Sequence, residues 1–204
     1  MRYDIEKDFE KLEEAGIDTY GLRVNMSSSQ NIHNFFVGND DTEKHILVEL
    51  TLENNIYKDN EEFTEIYGSA YGRLITTYDQ VNGRTLNYLD AIDSIDQDTY
   101  NCLSVFMDGN CGFNDELMFD KLFYIDRIII SEKYRNKGLG SILLEYIKYR
   151  FADITTAIVL QPLAFECKVE SSEVFGKESE NLCRFYEKHG FKNYRDDTWV
   201  YHEF

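Results

Sequence analysis

Apolar positions are densest from Leu122 to Ile130, where only Asp126 and Arg127 interrupt a run of aliphatic and aromatic residues. A run of that kind predicts a strand covered on both faces. Beyond it, Ile142, Leu143, Tyr146, Ile147 and Phe151 recur at helical spacing with Glu145, Lys148 and Arg150 between them, so an amphipathic helix is expected. Ala157-Ile158-Val159-Leu160 predicts the next strand. A strand-helix-strand unit of this length implies a right-handed crossover between parallel neighbours. Residues 178 to 189 read as a further helix with Leu182, Phe185 and Tyr186 on one side and Gly190 as its C′ cap, and Thr198 to Phe204 reads as a final strand.

The first half is less regular. Residues 2 to 14 read as a charged helix with Ile5, Phe9 and Leu12 along one stripe. His45 to Leu52 and Glu65 to Tyr78 read as strands, the second containing Gly68 and Gly72, where bulges or close backbone approach are expected. Between them Glu53 to Glu62 is polar and turn-rich, and Val81-Asn82-Gly83-Arg84 reads as a turn. A helix-like stretch then runs from Leu86 to Met107, with Leu89, Ile92, Ile95 and Leu103 apolar, and Asp108 to Asp115 reads as the loop out of it.

The segment Arg135-Asn136-Lys137-Gly138-Leu139-Gly140 fits R-x-x-G-x-G and joins the apolar strand to the amphipathic helix. The first N–H groups of a helix have no intrahelical partner and the macrodipole places partial positive charge there, so a diphosphate can accept several hydrogen bonds at once. Gly138 and Gly140 lack a Cβ, which lets a ligand approach the main chain and tolerates an unusual φ. Arg135 and Lys137 add positive charge. Taken alone, six such residues read equally well as a glycine-containing turn with two solvated cations.

The order strand, Arg135–Gly140 loop, helix, strand, followed by Tyr186-x-x-x-Gly190-Phe191, resembles the GNAT superfamily of acetyl-CoA-dependent N-acetyltransferases. The resemblance covers roughly the C-terminal 40% of the chain, and the two motifs in this order are far more specific than either alone. It implies an α/β fold with a mixed, twisted central sheet flanked by helices, in which the stretch from Leu86 to Met107 is a helical insertion before the central strand. Over 1–204 it implies a single N-acetyltransferase domain, with a variable part at 1–116 that shapes the acceptor site and an acetyl-CoA-binding core at 117–204.

Carried onto this sequence, the resemblance implies that main-chain N–H groups of Asn136, Lys137, Gly138, Leu139, Gly140 and Ser141 hold the pyrophosphate of acetyl-CoA, in a loop opened by Arg135. The main chain of Ile128 and Ile130 would pair with the pantetheine arm like an added strand. Ser179 stands where many members have an Asn that contacts the cofactor, and Glu132 stands where a proline often follows the strand. Tyr186 matches the family tyrosine near the thioester sulfur, a candidate acid for the leaving thiolate. Set against that role, a tyrosine on an amphipathic helix is ordinarily a core residue with its hydroxyl at the boundary.

Amine acetylation needs a neutral nucleophile, so a protonated acceptor must lose a proton to a base or through ordered water. Asp126 within the apolar strand, and Glu166 beyond the next one, are the candidate bases; the plain alternative for Asp126 is an ion pair with Arg127 or exposure to solvent. A main-chain N–H on the strand ending at Ile130 would stabilise charge on the carbonyl oxygen.

Composition narrows the partners. The chain has 204 residues and a formal charge of −17, which argues against a nucleic-acid surface and favours a cationic acceptor such as a polyamine, an aminoglycoside or a basic peptide terminus. Acidity that serves solubility alone carries nearly equal weight, and mimicry of nucleic acid towards a basic partner is a third reading. Asp90, Asp93, Asp96 and Asp98 fall largely on one solvated helix face, with no glycine-centred loop or closing Glu, so calcium is not expected. Cys102, Cys111, Cys167 and Cys183 contain no C-x-x-C pair and the four histidines form no close set, so reduced thiols and no metal are expected. With no apolar run long enough for a bilayer and a charged start in place of a signal peptide, a cytoplasmic enzyme without membrane contact is expected. Apolar C-terminal strands of such folds often support a homodimer. Two other classes stay open: a non-catalytic acyl-CoA-binding sensor, and an acidic interaction protein acting on a basic partner.

Overall fold

The computed structural model describes residues 5–29, 45–58, 61–76, 78–79, 84–85, 97–106, 121–162, 172–194 and 199–204. In chain order the elements are α1 (Glu6–Glu14), β1 (Leu22–Ser29), β2 (His45–Lys58), β3 (Glu61–Thr76), β4 (Tyr78–Asp79), β5 (Arg84–Thr85), α2 (Gln97–Ser104), β6 (Lys121–Ile130), α3 (Leu139–Phe151), β7 (Ala157–Leu160), α4 (Ser172–Lys188), β8 (Lys192–Tyr194) and β9 (Trp199–Glu203). Seven strands form one mixed sheet in the order β1-β2-β3-β6-β7-β9-β8, and β4 pairs with β5 alone. Only β6 and β7 run parallel; the other neighbours are antiparallel.

The apolar run from Leu122 becomes the central strand because both its faces are covered. Leu122, Phe123, Tyr124 and Ile125 are all buried. Phe123 and Ile125 join Leu50, Leu52, Ala70, Ile158, Leu160 and Val200 in the core under α1 and α3, where Phe123 stacks on Phe151 with ring centres 3.9 Å apart. By strand alternation Leu122, Tyr124 and Val159 face the other side. There Phe106, just past α2, stacks on Tyr194 at 4.9 Å and meets Tyr201 edge-on at 6.3 Å. The expected strand-helix-strand unit is thus β6-α3-β7, and a helix does precede the central strand, over Gln97–Ser104.

Several expectations are corrected. The polar stretch Glu53 to Glu62 is not a loop: β2 continues to Lys58 and β3 starts at Glu61. Its polar side chains satisfy one another across the strands, with Arg23 Nε and Asn25 Nδ2 donating to Glu53, Thr64 Oγ1 to Asn55, and Asn55 Nδ2 to Glu62. The described part of the first helix begins at Glu6, and its buried side chains are Leu12 and Asp8, with Ile5 and Phe9 only partly buried. β1, whose second half is polar, and the short β8 were not anticipated. The turn at residues 81–83, the helix-like stretch up to residue 96, the loop at 108–115 and Glu166 lie outside the described residues. Among the described residues no helix is long and apolar enough to cross a membrane, and no group of His, Cys, Asp and Glu could hold a metal ion.

Candidate functional site

The site is built on an irregularity in β6. Its pairing with β3 runs from Thr76↔Lys121 to Gly72↔Ile125 and resumes at Tyr71↔Arg127, so Asp126 is the extra residue of a β-bulge. The bulge resets the alternation. Ile128 and Ile130 stay packed against the same core as Phe123 and Ile125, while Arg127 turns to the opposite face, its guanidinium 4.6 Å from the centre of the Tyr71 ring. On its other side β6 pairs with β7 only from Leu122↔Ala157 to Ile125↔Leu160. Among the described residues, the main chain of Arg127–Ile130 therefore has no strand partner on that side, and an extended segment can add there.

The chain leaves β6 through a single 3-10 turn at Glu132–Tyr134. Ser131 N–H donates to the Tyr67 oxygen at 2.9 Å, and Tyr134 is buried edge-on against Tyr67 at 4.6 Å with its hydroxyl donating to the Glu65 carboxylate. Lys133 pairs with Glu65 at 2.9 Å, and the ammonium groups of Lys133 and Lys137 lie 4.7 and 5.4 Å from the Tyr134 ring centre. Arg135 is exposed, and its Nε donates to the Ile130 oxygen at 3.1 Å, tying the loop to the strand end. Asn136 and Gly138 take positive φ values of 61° and 91°, after which α3 begins at Leu139. Its N-cap, Gly138, has no side chain to cap it and no acidic residue lies in its first turn, and the N–H groups of Leu139, Gly140 and Ser141 have no intrahelical acceptor, which suits an anion.

The two glycines do different work. A Cβ on Gly138 would come within 2.9 Å of Asp8 Cβ and 3.0 Å of Asp8 Cγ, so its left-handed backbone and the close packing of α1 account for this glycine, not room for a ligand. At Gly140 a Cβ would make only ordinary contacts, 3.7 Å to Ile130 Cγ1 and 3.9 Å to Phe185 Cζ. Asp8 brings a carboxylate that is 2% exposed beside the loop, paired with Lys11 at 2.5 Å.

Helix α4 supplies the other side. It ends as its sequence predicts: Gly190 has φ 83°, its N–H donates to the Glu187 oxygen at 2.9 Å, and Phe191 N–H donates to the Tyr186 oxygen at 3.1 Å, a Schellman closure. Tyr186 is buried, with the rings of Phe185 and Phe191 edge-on at 5.2 and 5.6 Å. Burial pushes its phenol up, so it holds its proton at neutral pH and can only be a donor or a neutral acceptor. Ser179 Oγ is buried with no hydrogen-bond partner among the described residues, a penalty that a polar ligand atom would relieve. A helix N-terminus with Arg135 and Lys137 beside it, although Asp8 packs on its first turn, an open strand edge and the Ser179 hydroxyl together fit a ligand with an anionic group and an extended, amide-bearing arm.

On the opposite face of the sheet a groove of about 320 Å³ opens at the bulge, lined by Ser27, Glu49, Tyr71, Arg73, Asp126 and Arg127 among others. Asp126 reaches it with a side chain 42% exposed and 3.8 Å from Arg127 Nε.

A buried polar chain links α3 to the end of α4. Ser141 Oγ lies 3.1 Å from His189 Nε2, His189 Nδ1 lies 2.7 Å from Glu145 Oε1, and Lys148 Nζ donates to both Glu145 oxygens at 3.0 and 3.2 Å and to the His189 oxygen at 2.7 Å. His189 is 1% exposed. Burial pushes the Glu145 carboxyl up, but hydrogen bonds from His189 and Lys148 outweigh it and hold it below the ordinary carboxylate range. In the sequence His189 stands at the end of a helix and is one of four histidines that form no close set. The available signal was that Ser141, Glu145 and Lys148 share one face of a helix.

The family described as "Acetyltransferase (GNAT) domain" matches residues 96–193. Solved structures to which the chain is similar include Arabidopsis thaliana NAA60 in complex with a bisubstrate analogue, at 15% identity and TM-score 0.45 over 97% of this chain and 92% of that one. Arabidopsis thaliana Naa50 in complex with the bisubstrate analogue CoA-Ac-MVNAL is similar at 13% identity and TM-score 0.37, over 89% of this chain and 99% of that one. An acetyltransferase of the GNAT family from Listeria monocytogenes 4b F2365 is similar at 12% identity and TM-score 0.34, over 98% and 85%. No curated protein sequence matches the chain. The match to the GNAT acetyltransferase domain thus spans residues 96–193, which include the Arg135–Gly140 loop and the Tyr186–Phe191 motif.

Proposed function

We propose that this protein is an N-acetyltransferase that moves an acetyl group from acetyl-CoA directly to a primary amine. The observation that carries the reading is the bulge at Asp126: it leaves the edge of β6 open beside the Arg135–Gly140 loop on one side and opens a groove onto the other face. Donor and acceptor would meet there from opposite faces. Bound acetyl-CoA supplies the acetyl group activated as a thioester. Main-chain N–H groups from Asn136 to Ser141 hold the pyrophosphate, with Arg135 and Lys137 adding charge; Ile128 and Ile130 offer main-chain pairing to the pantetheine arm, and Ser179 a hydroxyl to the same arm. Tyr186, kept protonated by burial, gives its proton to the thiolate as the carbon–sulfur bond breaks.

Asp126 takes the acceptor's proton, directly or through water, before attack. Residues 1–116 shape the acceptor side and 117–204 the donor side. In the groove Glu49 and Asp126 are matched by Arg73 and Arg127, so it is the net charge of −17 of the whole chain that favours a cationic acceptor. Thiol release from acetyl-CoA is the test, run with a panel of polyamines, aminoglycosides and basic peptides beside a direct binding measurement. Acceptor-dependent release is expected. Binding without release across the panel would instead make the protein a sensor, and no binding would remove the donor site.

A further inference from the structure

In the groove at the bulge, Tyr71 stands between two charges. Glu49 pairs with Tyr71 across β2 and β3, and Tyr71 pairs with Arg127 across β3 and β6, so the three side chains form one row. The row lies on the face away from Val48, Leu50 and Ala70, which are buried in the core. The Arg127 guanidinium is 4.6 Å from the Tyr71 ring centre, and its Nε is 3.8 Å from Asp126 Oδ2, an ion-pair distance too long for a hydrogen bond. Ring and carboxylate thus hold the half-exposed side chain in place, while among the described residues no acceptor takes a hydrogen bond from its guanidinium. The charge of −17 on the whole chain acts at range and is screened beyond about 10 Å in ordinary salt. At contact the groove's own charges decide, and there Arg73 and Arg127 stand beside Glu49 and Asp126. A polyamine meets both arginines as like charges, whereas a zwitterion meets each sign with its opposite.

We infer that the acceptor is an amine with a carboxylate on the adjacent carbon, a free amino acid, and that Arg127 is the specificity-determining residue that takes this carboxylate. This rests on reading the groove as the acceptor site, with Asp126 meeting the amine. In a regular strand consecutive side chains point to opposite faces; the bulge lets Asp126 and Arg127 open into the same groove, with their charged atoms 3.8 Å apart. In an α-amino acid the nitrogen and the carboxyl carbon are about 2.5 Å apart, set by two bonds and one tetrahedral angle. An ammonium on Asp126 and a carboxylate on Arg127 therefore close a ring of four alternating charges. Two short charge-assisted contacts replace one long pair. The guanidinium fork also matches the two carboxylate oxygens in shape, which a carboxamide or a second amine does not offer.

Thiol release from acetyl-CoA tests this with the common amino acids, each beside its own carboxamide, and with spermidine as a cation that has no carboxylate. The carboxamide's amine is the less basic, so at about pH 8 more of it is neutral and ready to attack, a bias against the expected result. The wild-type protein should show kcat/KM at least about tenfold higher for its best amino acid than for the matching carboxamide. In Arg127→Gln that ratio should fall to within about twofold of unity, through a rise in the KM of the amino acid, and in Arg127→Glu it should invert. Because Arg127 is half-exposed, both variants should keep the wild-type urea midpoint, which establishes that they are folded. A wild-type preference for the carboxamide or for spermidine, or an undiminished ratio in folded Arg127→Gln, would overturn the proposal and leave acetyl transfer to amines standing. No acceptor-dependent thiol release from any of these amines would overturn it together with the reading of the site, which distinguishes the two failures.

Discussion

Asp8 packs directly on Gly138, so that α1 is seated against the turn that opens α3, with Asp8 Cβ 2.9 Å from where a Gly138 Cβ would stand. Gly138 also has φ 91°, which an L side chain rarely adopts. Gly138→Ala should therefore cost about 2–4 kcal/mol, from backbone strain together with the contact to Asp8. Gly140→Ala meets only ordinary contacts inside a helix and should change stability by less than about 1 kcal/mol. Urea denaturation of the two variants compares them directly, and equal costs would contradict this division of roles.

Tyr186→Phe separates catalysis from binding. The ring packing with Phe185 and Phe191 survives the change, since only the hydroxyl is lost. Turnover should fall by about 100-fold while the affinity for acetyl-CoA stays within about twofold, because an interaction made only in the transition state is removed. Wild-type turnover in the variant would return Tyr186 to the role of a core residue.

What was legible in the sequence was what local patterning controls. The continuous apolar run from Leu122, the helical spacing of Ile142 to Phe151 and the Gly190 stop are one-dimensional signals, and β6, α3 and the end of α4 follow them. The hairpin arm at 53–58 and 61–66 was hidden because its strands are held by cross-strand polar pairs such as Asn55 with Glu62, which resemble a loop when read along one strand. The bulge was legible from the β3 side, where Gly72 marks it, but that Asp126 is its extra residue was not, since an extra residue exists only relative to the register of β3. Ser141 and His189, far apart in the chain, meet only through the docking of α4 on α3.

Asp126→Asn tests the base. The carboxylate is half-exposed and 3.8 Å from Arg127, a pair whose own contribution to stability is small in solvent, so the variant should fold with nearly unchanged stability. If Asp126 takes the acceptor's proton, kcat/KM for the amine should drop about 10- to 100-fold with the donor KM unaltered. Unchanged turnover would leave Asp126 as a partner of Arg127 and transfer the role to ordered water.

The end of α4 should make stability fall on acidification in two separable steps. Burial pushes the His202 imidazole down from an ordinary value of 6.5, and the balance of burial against the bonds from His189 and Lys148 leaves Glu145 below 4.5. Both groups bind protons more weakly folded than unfolded, so between the two affinities the unfolded chain holds more protons and stability decreases as pH decreases. The His202 share is complete above about pH 6.5 and is lost below it; the Glu145 share is complete above about pH 4.5 and is lost below that. His202→Gln should remove the upper step and leave the lower, while Glu145→Gln should do the reverse. Denaturant midpoints measured from pH 8 to pH 3.5 resolve the steps, and a His202→Gln profile that still declines below pH 6.5 as the wild type does would assign that step to another group.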